Sequence, residues 1–413
     1  MKPEQFDLSD PTFWSDPNDF FASMRSECPV FSMPEGQGYL VATYEGVKSA
    51  SSMPQVFSST RPIFGGGDPE LEAIQEKGYP IVPTMSNNDP PRHTRYRKLV
   101  NRAFAPAVVE QLEDSMHDIA HGIIDRLEGR TEFDFCREYA DVLPSYVMAD
   151  WLGVAREDQP RFKKWSDDMV ESTLSPTLTR ERQIECKLSF VEFQQYFAAI
   201  IEQRRGGDGE DAVSLLVNSH VVDERPLDVP EILDLLRQFL IAGNDTTANL
   251  LGGTMLLLLD HPETFAEVVA DRSLIPDLIE EALRHVTPAQ WTMRTVVADS
   301  ELSGCPVSAG ERARVALASA NRDPEQFEDP DVFDIKRDAT GHVAFGHGIH
   351  FCIGHLLGRA EARIAFEVLF DRLSDIRLAV PREKVKRRPL AGIYQLQGLP
   401  LHVAHIDTGL ATV

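Results

Sequence analysis

The residues with the greatest capacity for chemistry lie in 341–363, GHVAFGHGIHFCIGHLLGRAEAR. Cys352 stands among Gly346, Gly348 and Gly354, and an apolar stripe of Ile353, Leu356, Leu357, Ala360 and Ile364 starts directly after it. That spacing predicts a sulfur just before a helix N-terminus, where unpaired amides and the positive dipole end favour thiolate over thiol. Such a sulfur is an electron-rich ligand or a nucleophile, and the glycines let backbone approach something flat and close. Three rivals use the same residues. His347, His350, Cys352 and His355 make a compact zinc set, but no distant Cys or His pair completes the usual spacing. A cysteine hydrolase needs a general base from elsewhere and leaves the glycines and the apolar helix unexplained. A buried inert cysteine explains the glycines less well still.

Three further groups stand out. Within 232–259, ILDLLRQFLIAGNDTTANLLGGTMLLLL, the residues Gly243, Asp245, Thr246 and Thr247 sit mid-helix, where Gly costs stability and Asp and Thr compete for backbone hydrogen bonds. Breaks of local rules gather at functional sites, although a packing notch against a neighbouring helix is the plain alternative. Glu281 and Arg284 stand three apart on one helix face, a spacing that on an exposed helix contributes only a few tenths of a kcal/mol. Finally, PPRHTRYRKLVNRAF carries Arg92, Arg95, Arg97, Lys98 and Arg102 with no acid between Pro90 and Val109. At helical spacing His93, Arg97, Val100 and Phe104 share one stripe, opposite Arg95, Lys98 and Arg102.

The elements that must position these groups are mostly helical. Apolar residues recur at three- and four-residue spacing over 106–128, 140–153, 157–173, 181–205, 229–260, 262–287 and 353–374. Strand-like alternation is confined to Tyr39–Thr43, Thr292–Val297, Arg312–Val315 and Leu399–Ala404. The stretch 60–91, with GGGD and SNNDPP, reads as a long irregular loop. The fold class is therefore mainly α with a minor β-sheet region. No linker or repeat interrupts the 413 residues, so one domain is expected over 1–413. Asp234, Arg237, Asn244 and Asp245 argue against a membrane span in 232–259. The chain carries 41 Lys and Arg against 65 Asp and Glu, a net charge of −24, which opposes broad attraction to nucleic acid or anionic lipid. Five scattered Cys and an N-terminal segment without a basic and apolar leader predict a reducing, cytoplasmic setting.

The run Phe345-Gly346-His347-Gly348-Ile349-His350-Phe351-Cys352-Ile353-Gly354 resembles the haem-binding signature of the cytochrome P-450 family in its soluble bacterial form. The resemblance covers nearly the whole chain in order: basic helix, Ala242–Thr247 segment, Glu-x-x-Arg, meander and cysteine loop. It implies a single-domain cytochrome P-450 fold and a monooxygenase that inserts one oxygen atom from O2 into a hydrophobic small molecule. It implies haem b with Cys352 as the axial thiolate on iron, and His93, Arg97, Arg294 and His350 toward the propionates. Asp245 and Thr246 become the acid–alcohol pair that delivers protons to bound oxygen. Glu281 and Arg284 become a buried ion network completed by Arg337, with Arg322 the second choice. Family architecture draws the pocket from the loop 60–91, 165–195, 238–247, 288–294 and 392–395. Apolar candidates there are Phe64, Ile81, Val82, Met85, Phe239, Ala242, Trp291, Met293 and Ile393. Electrons would come ultimately from NAD(P)H through a separate ferredoxin or flavodoxin and its reductase, to a monomeric enzyme. The outer basic face, Arg95, Lys98 and Arg102 with Arg359 and Arg363, is a candidate docking patch for an acidic partner. Alternatives within the family are peroxide-driven, isomerase or reductase chemistry, and outside it a zinc- or haem-binding sensor.

Overall fold

The computed structural model describes residues 11–60, 68–174, 178–222, 224–390 and 392–406. Phe64, one of the apolar pocket candidates, lies outside them. The chain forms two compact units, one from Met1–Ser59, Met116–Asp141 and Thr246–Val413, the other from Thr60–Ser115 and Val142–Asp245. One of the four crossings between them falls inside the continuous helix Val229–Asp260, between Asp245 and Thr246.

Helices follow the apolar periodicity closely. Arg180–Arg204, Val229–Asp260 and His355–Arg372 match three of the periodic stretches to within two residues at each end. Local chemistry explains their starts. Thr179 accepts a hydrogen bond from the Arg182 amide at 3.3 Å. Asp228 and Glu231 form a reciprocal capping box, each side chain accepting the other's amide at 3.0 Å. Two long periodic stretches are broken. The 262–287 stretch becomes Pro262–Ala270 and Ile275–Val286, because Asp271 turns the chain by accepting from the Ser273 amide and Pro276 opens the second helix. The 106–128 stretch divides at Leu112 into Pro106–Gln111 and Glu113–Asp125.

The irregular-loop expectation for 60–91 is corrected. Pro69–Gln75 is a helix, with Asp68 Oδ1 accepting from the Glu70 and Leu71 amides at 3.1 Å, and Met85–Asn87 is a 3-10 turn. The Asp-Pro start with acids in the first turn is a helix signal that the preceding glycines mask.

The main sheet belongs to the first unit and has five short strands in the order Val30–Ser32, Tyr39–Val41, Arg312–Val315, Thr292–Val296, Phe57–Ser58. Its pairs are antiparallel except the parallel pair that sets Leu40 opposite Arg314. Val30, Val41, Phe57, Val296, Ala313 and Val315 turn their side chains into one apolar core with the helix Tyr44–Ser52. The second unit is built around helices whose aromatic rings interlock. Phe104, Trp151 and Phe239 form one cluster, with centroids 4.6 to 5.6 Å apart. Trp165, Phe193, Phe197 and Phe162 form another.

One ion pair is completely buried. Arg284 donates from Nε and Nη2 to both oxygens of Glu281 at 2.7 Å, and both side chains are 0% exposed. The remaining guanidinium hydrogens go to the carbonyls of Asn321, Pro330 and Val332. Arg337 brings Nε to 3.5 Å from Glu281 Oε1 and donates to the Asp329 carbonyl, whereas Arg322 pairs with Asp331. A buried pair of this kind gains little over an apolar substitute, but losing one partner strands the other charge. Glu281→Ala is therefore expected to cost about 3–5 kcal/mol. The check is a lowered urea midpoint at unchanged slope, and an unchanged midpoint would remove the pair from the stability of the fold.

Candidate active site

The cysteine loop is closed by a backbone hydrogen bond and braced from outside. The Cys352 amide donates to the Phe345 carbonyl at 2.8 Å, and Gly348–His350 make one 3-10 turn between them. The helix His355–Arg372 begins after Gly354, so Cys352 lies two residues outside the N-cap. Gly348 is required here. Its φ is +72°, and a Cβ would sit 2.5 Å from the Ser51 carbonyl oxygen.

Neighbouring carboxylates anchor this loop from the helix Ile275–Val286. Glu280 accepts from Arg359 Nε and Nη2 at 2.5 and 2.9 Å and meets His342 Nε2 at 3.2 Å. The Arg359 guanidinium also lies 4.5 Å from the Phe345 ring centroid. Asn321 carries the buried ion pair to the loop. Its carbonyl accepts from Arg284, its Oδ1 accepts from the Val343 amide at 2.7 Å, and its Nδ2 donates to Thr287.

The other cysteines differ from Cys352. Burial pushes the Cys136 and Cys186 thiols up, so both stay protonated. Cys28 approaches the Val30 carbonyl at 3.4 Å, and Cys305 starts a short strand. All five are free thiols. Among the described residues no three His, Cys, Asp or Glu side chains converge as a metal cluster, so the zinc set of His347, His350, Cys352 and His355 is not assembled.

Four basic groups were expected beside the cysteine. In the first unit, Arg294 is 8% exposed in the strand Thr292–Val296 and donates to the Met293 carbonyl, while His350 is half-buried in the 3-10 turn. In the second unit, His93 is buried on the helix Arg92–Val100 and Arg97 is half-buried one turn later. Burial and the Arg97 charge hold the His93 imidazole below its usual range, against a weaker pull from Asp89.

The outer face of this helix departs from the sequence reading. Arg95 is drawn inward, with Nη1 2.9 Å from Glu231 Oε1, and Tyr96 donates to the same oxygen at 2.8 Å. Burial and that bond push the Tyr96 hydroxyl up to about 12. Arg359 and Arg363 are likewise engaged, by Glu280 and Glu367. Lys98 and Arg102 remain exposed, together with Arg92.

The helix Val229–Asp260 carries an open stripe. Gln238, Ile241, Asp245 and Thr246 are half-buried, and Ala242 is exposed although Leu240, Asn244 and Thr247 beside it are buried. Asn244 donates to Ser166 on the neighbouring helix. Gly243 does serve as a notch, since a Cβ there would meet Met148 Cε at 2.3 Å. The notch and the polar stripe thus coexist on different sides of one turn.

Of the apolar pocket candidates, Ile81 and Val82 are half-buried and Met85 is 7% exposed. Phe239 is only 5% exposed within the Phe104–Trp151 cluster, which makes it a core residue first. Trp291, Met293 and Ile393 are half-buried. Trp291 rests edge-on against Trp14 at 5.0 Å and covers Gly392, where φ is +90° and a Cβ would sit 2.9 Å from Trp291 Cε2.

Comparison with known proteins identifies the class. The cytochrome P450 family profile matches residues 47–388. Cytochrome P450 monooxygenase PikC of Streptomyces venezuelae is 36% identical over 401 residues, 94% of this chain and 91% of that protein. The structure of cytochrome P450 CYP109Q5 from Chondromyces apiculatus matches with a TM-score of 0.86 at 36% identity, over 97% of this chain and 99% of that one. CYP109E1 from Bacillus megaterium, in complex with corticosterone, matches with a TM-score of 0.84 at 33% identity, over 94% and 98%.

The chain belongs to the cytochrome P450 family. It is a haem-thiolate monooxygenase, of the class that holds haem b through a cysteine thiolate and uses O2 with electrons from NAD(P)H. The chemistry of the first unit's residues fits that group: Cys352 lies just ahead of the helix His355–Arg372, and the same unit carries Arg294 and His350, a guanidinium and an imidazole of the kind that meets carboxylates.

Glu280 gives the site a pH signature. Burial raises its carboxyl, but the hydrogen bonds from Arg359 and His342 outweigh this and lower it from 4.5 to about 2. A carboxyl depressed in the folded state stabilises above its unfolded pKa, and that contribution is lost as pH falls toward the folded value. Glu280→Gln should therefore flatten the loss of stability between about pH 5 and 2. An acid-unfolding curve as steep as that of the unaltered protein would refute the assignment.

Proposed function

We propose that Cys352 is the iron ligand, that His93, Arg97, Arg294 and His350 bind the haem propionates, and that Asp245 and Thr246 hold the proton path. The strapped cysteine loop at the start of His355–Arg372 is the observation that carries this reading. There the dipole and the orphan amides of the helix start favour a thiolate over a thiol. A thiolate-bound haem supplies reductive activation of O2 and insertion of one oxygen atom into an apolar substrate.

The chain's own contributions follow from its placement of charge. Arg294 sits on a strand and Arg97 on a helix, so each offers a guanidinium from a rigid element to a carboxylate. His93, kept below its usual pKa, offers a neutral imidazole donor. Asp245 and Thr246 are half-buried neighbours on the long helix, where a carboxylate and a hydroxyl can pass protons through water. Ala242, one turn earlier, leaves room beside them because its side chain is a methyl group.

The substrate proposed is a bulky, rigid, apolar molecule of steroid or macrolide type. Ile81, Val82, Met85, Ala242, Trp291, Met293 and Ile393 supply apolar surface without a charged selector. The corticosterone complex of CYP109E1 supports the same class. Electrons are proposed to arrive from a ferredoxin or flavodoxin and its reductase, on the exposed side of Arg92, Lys98 and Arg102, in a monomeric cytoplasmic enzyme. No described helix is long and apolar enough to cross a membrane.

Two measurements test the residue roles. The reduced, carbon monoxide-bound protein should show the red-shifted Soret band of thiolate ligation, and Cys352→Ser should abolish it while the chain still folds. Persistence of the band in that variant would move the ligand elsewhere. Thr246→Ala should leave substrate binding intact and divert reduced cofactor to peroxide or water, slowing product formation about 100-fold or more, the scale of one lost proton-transfer group, and so lowering product per NAD(P)H. Unchanged coupling would remove Thr246 from the proton path.

A further inference from the structure

The segment Tyr79-Pro80-Ile81-Val82-Pro83-Thr84 has no regular secondary structure, yet both of its ends are tied by buried side-chain hydrogen bonds to different helices. At the first end, Gln194 on the helix Arg180–Arg204 is 2% exposed. Its Oε1 accepts from the Tyr79 amide and its Nε2 donates to the Tyr79 carbonyl, both at 3.0 Å. Gln75 reinforces this end by donating to the Tyr79 carbonyl at 2.7 Å and to Gln194 Oε1 at 3.1 Å. Gly78 lies so close that a Cβ would fall 2.3 Å from Gln194 Oε1.

At the second end, Thr84 is 0% exposed and donates from Oγ1 to Asp234 Oδ2 at 2.6 Å. Gln238 closes the cluster. Its Nε2 contacts Thr84 Oγ1 and donates to Asp234 Oδ2 at 2.6 Å, while its Oε1 accepts from the Ser86 amide at 3.1 Å. Asn88, 3% exposed, donates to the Pro83 and Thr84 carbonyls at 2.7 Å, and Arg237 holds the other Asp234 oxygen.

Between the anchors, Pro80 and Pro83 fix φ and donate no hydrogen bonds, so Ile81 and Val82 ride on a short, stiff bridge. Neither proline nor either aliphatic side chain needs two sets of buried amides and a buried carboxylate for its own burial. A buried polar cluster of this kind is costly unless fully satisfied, and what it delivers is a unique backbone position.

We propose that Gln194 at one end and Thr84, Asp234 and Gln238 at the other are positioning residues for substrate specificity. They fix Ile81 and Val82 as a rigid wall that accepts rigid polycyclic molecules and rejects shapes requiring the wall to move. Gln238 links this wall to the open stripe, because it lies one turn before Ala242 on the same helix. This proposal rests on the haem-thiolate reading above, and its test separates the two.

Thr84→Val keeps the side-chain shape but removes the hydroxyl, Thr84→Ser restores it, and Gln194→Leu loosens the other end. Two azoles probe the haem-loaded enzyme spectroscopically: imidazole, too small to meet the wall, and clotrimazole, which must fit against it. Thr84→Val and Gln194→Leu should change the clotrimazole dissociation constant about fivefold, the factor carried by one net hydrogen bond, with imidazole binding unchanged. Thr84→Ser should behave as the unaltered protein. In parallel, amide hydrogen exchange over residues 79–86 should accelerate in Thr84→Val and recover in Thr84→Ser. Unchanged exchange, or equal changes for both azoles, would overturn the proposal. Absence of the thiolate Soret band in the unaltered protein would instead overturn the haem assignment, while the exchange data, which need no haem, still decide whether the anchors hold.

Discussion

The Glu281–Arg284 ion pair, with no exposure at either side chain, is the constraint on which the cysteine loop depends. Glu281 takes both of its charge-assisted bonds from Arg284, and Arg284 spends its remaining donors on carbonyls of the segment 321–332. One of those carbonyls belongs to Asn321, whose side chain receives the Val343 amide just before the glycines of the loop. The residue before, Glu280, reaches Arg359 on the helix that leaves the loop. Two adjacent carboxylates on one helix thus hold both sides of Cys352. The loop needs such outside support because its own backbone bonds are few and its glycines favour many conformations.

Much of this was legible in the sequence, for physical reasons that differ by element. Helices such as Val229–Asp260 and His355–Arg372 were readable because their burial obeys the helical period over many turns. The cysteine loop was readable because glycine, thiol and helix start occur within a few consecutive residues. What escaped depends on partners far away in the chain. By spacing alone Glu281 and Arg284 look like an ordinary surface pair, and only the family resemblance, which adds Arg337, marked them as buried. Arg95 reads as an outward charge because Glu231 is 136 residues away. Thr84 and Gln194 carry no local signal at all, since their partners lie 150 and 115 residues distant. The helix Pro69–Gln75 was hidden for a local reason, its capping Asp68 being next to a glycine run.

The middle of the long helix shows how one turn can meet two demands. Gly243 removes a side chain where Met148 presses in, while Ala242, Asp245 and Thr246 keep an accessible polar face. A larger residue at 243 would displace Met148. The small residues that weaken the helix locally are the ones that let it be packed and open at once. Its stability comes instead from its length and from apolar residues such as Leu235, Leu236, Leu251 and Leu258, all fully buried.

The five-stranded sheet joins Val30–Ser32, Tyr39–Val41 and Phe57–Ser58 to strands that begin only at Thr292 and Arg312. Val30–Ser32 can pair with Tyr39–Val41 at once, but the outer edge of Tyr39–Val41 and the strand Phe57–Ser58 leave the ribosome tens of seconds before their partners exist, at ordinary elongation rates. Val30, Leu40, Val41 and Phe57, later buried, spend that interval without their final cover. The growing chain is then an unfinished sheet edge attached to helices that can already form. Until the strands at Thr292 and Arg312 are made, those backbone groups present an unpaired edge of the kind that can join another chain.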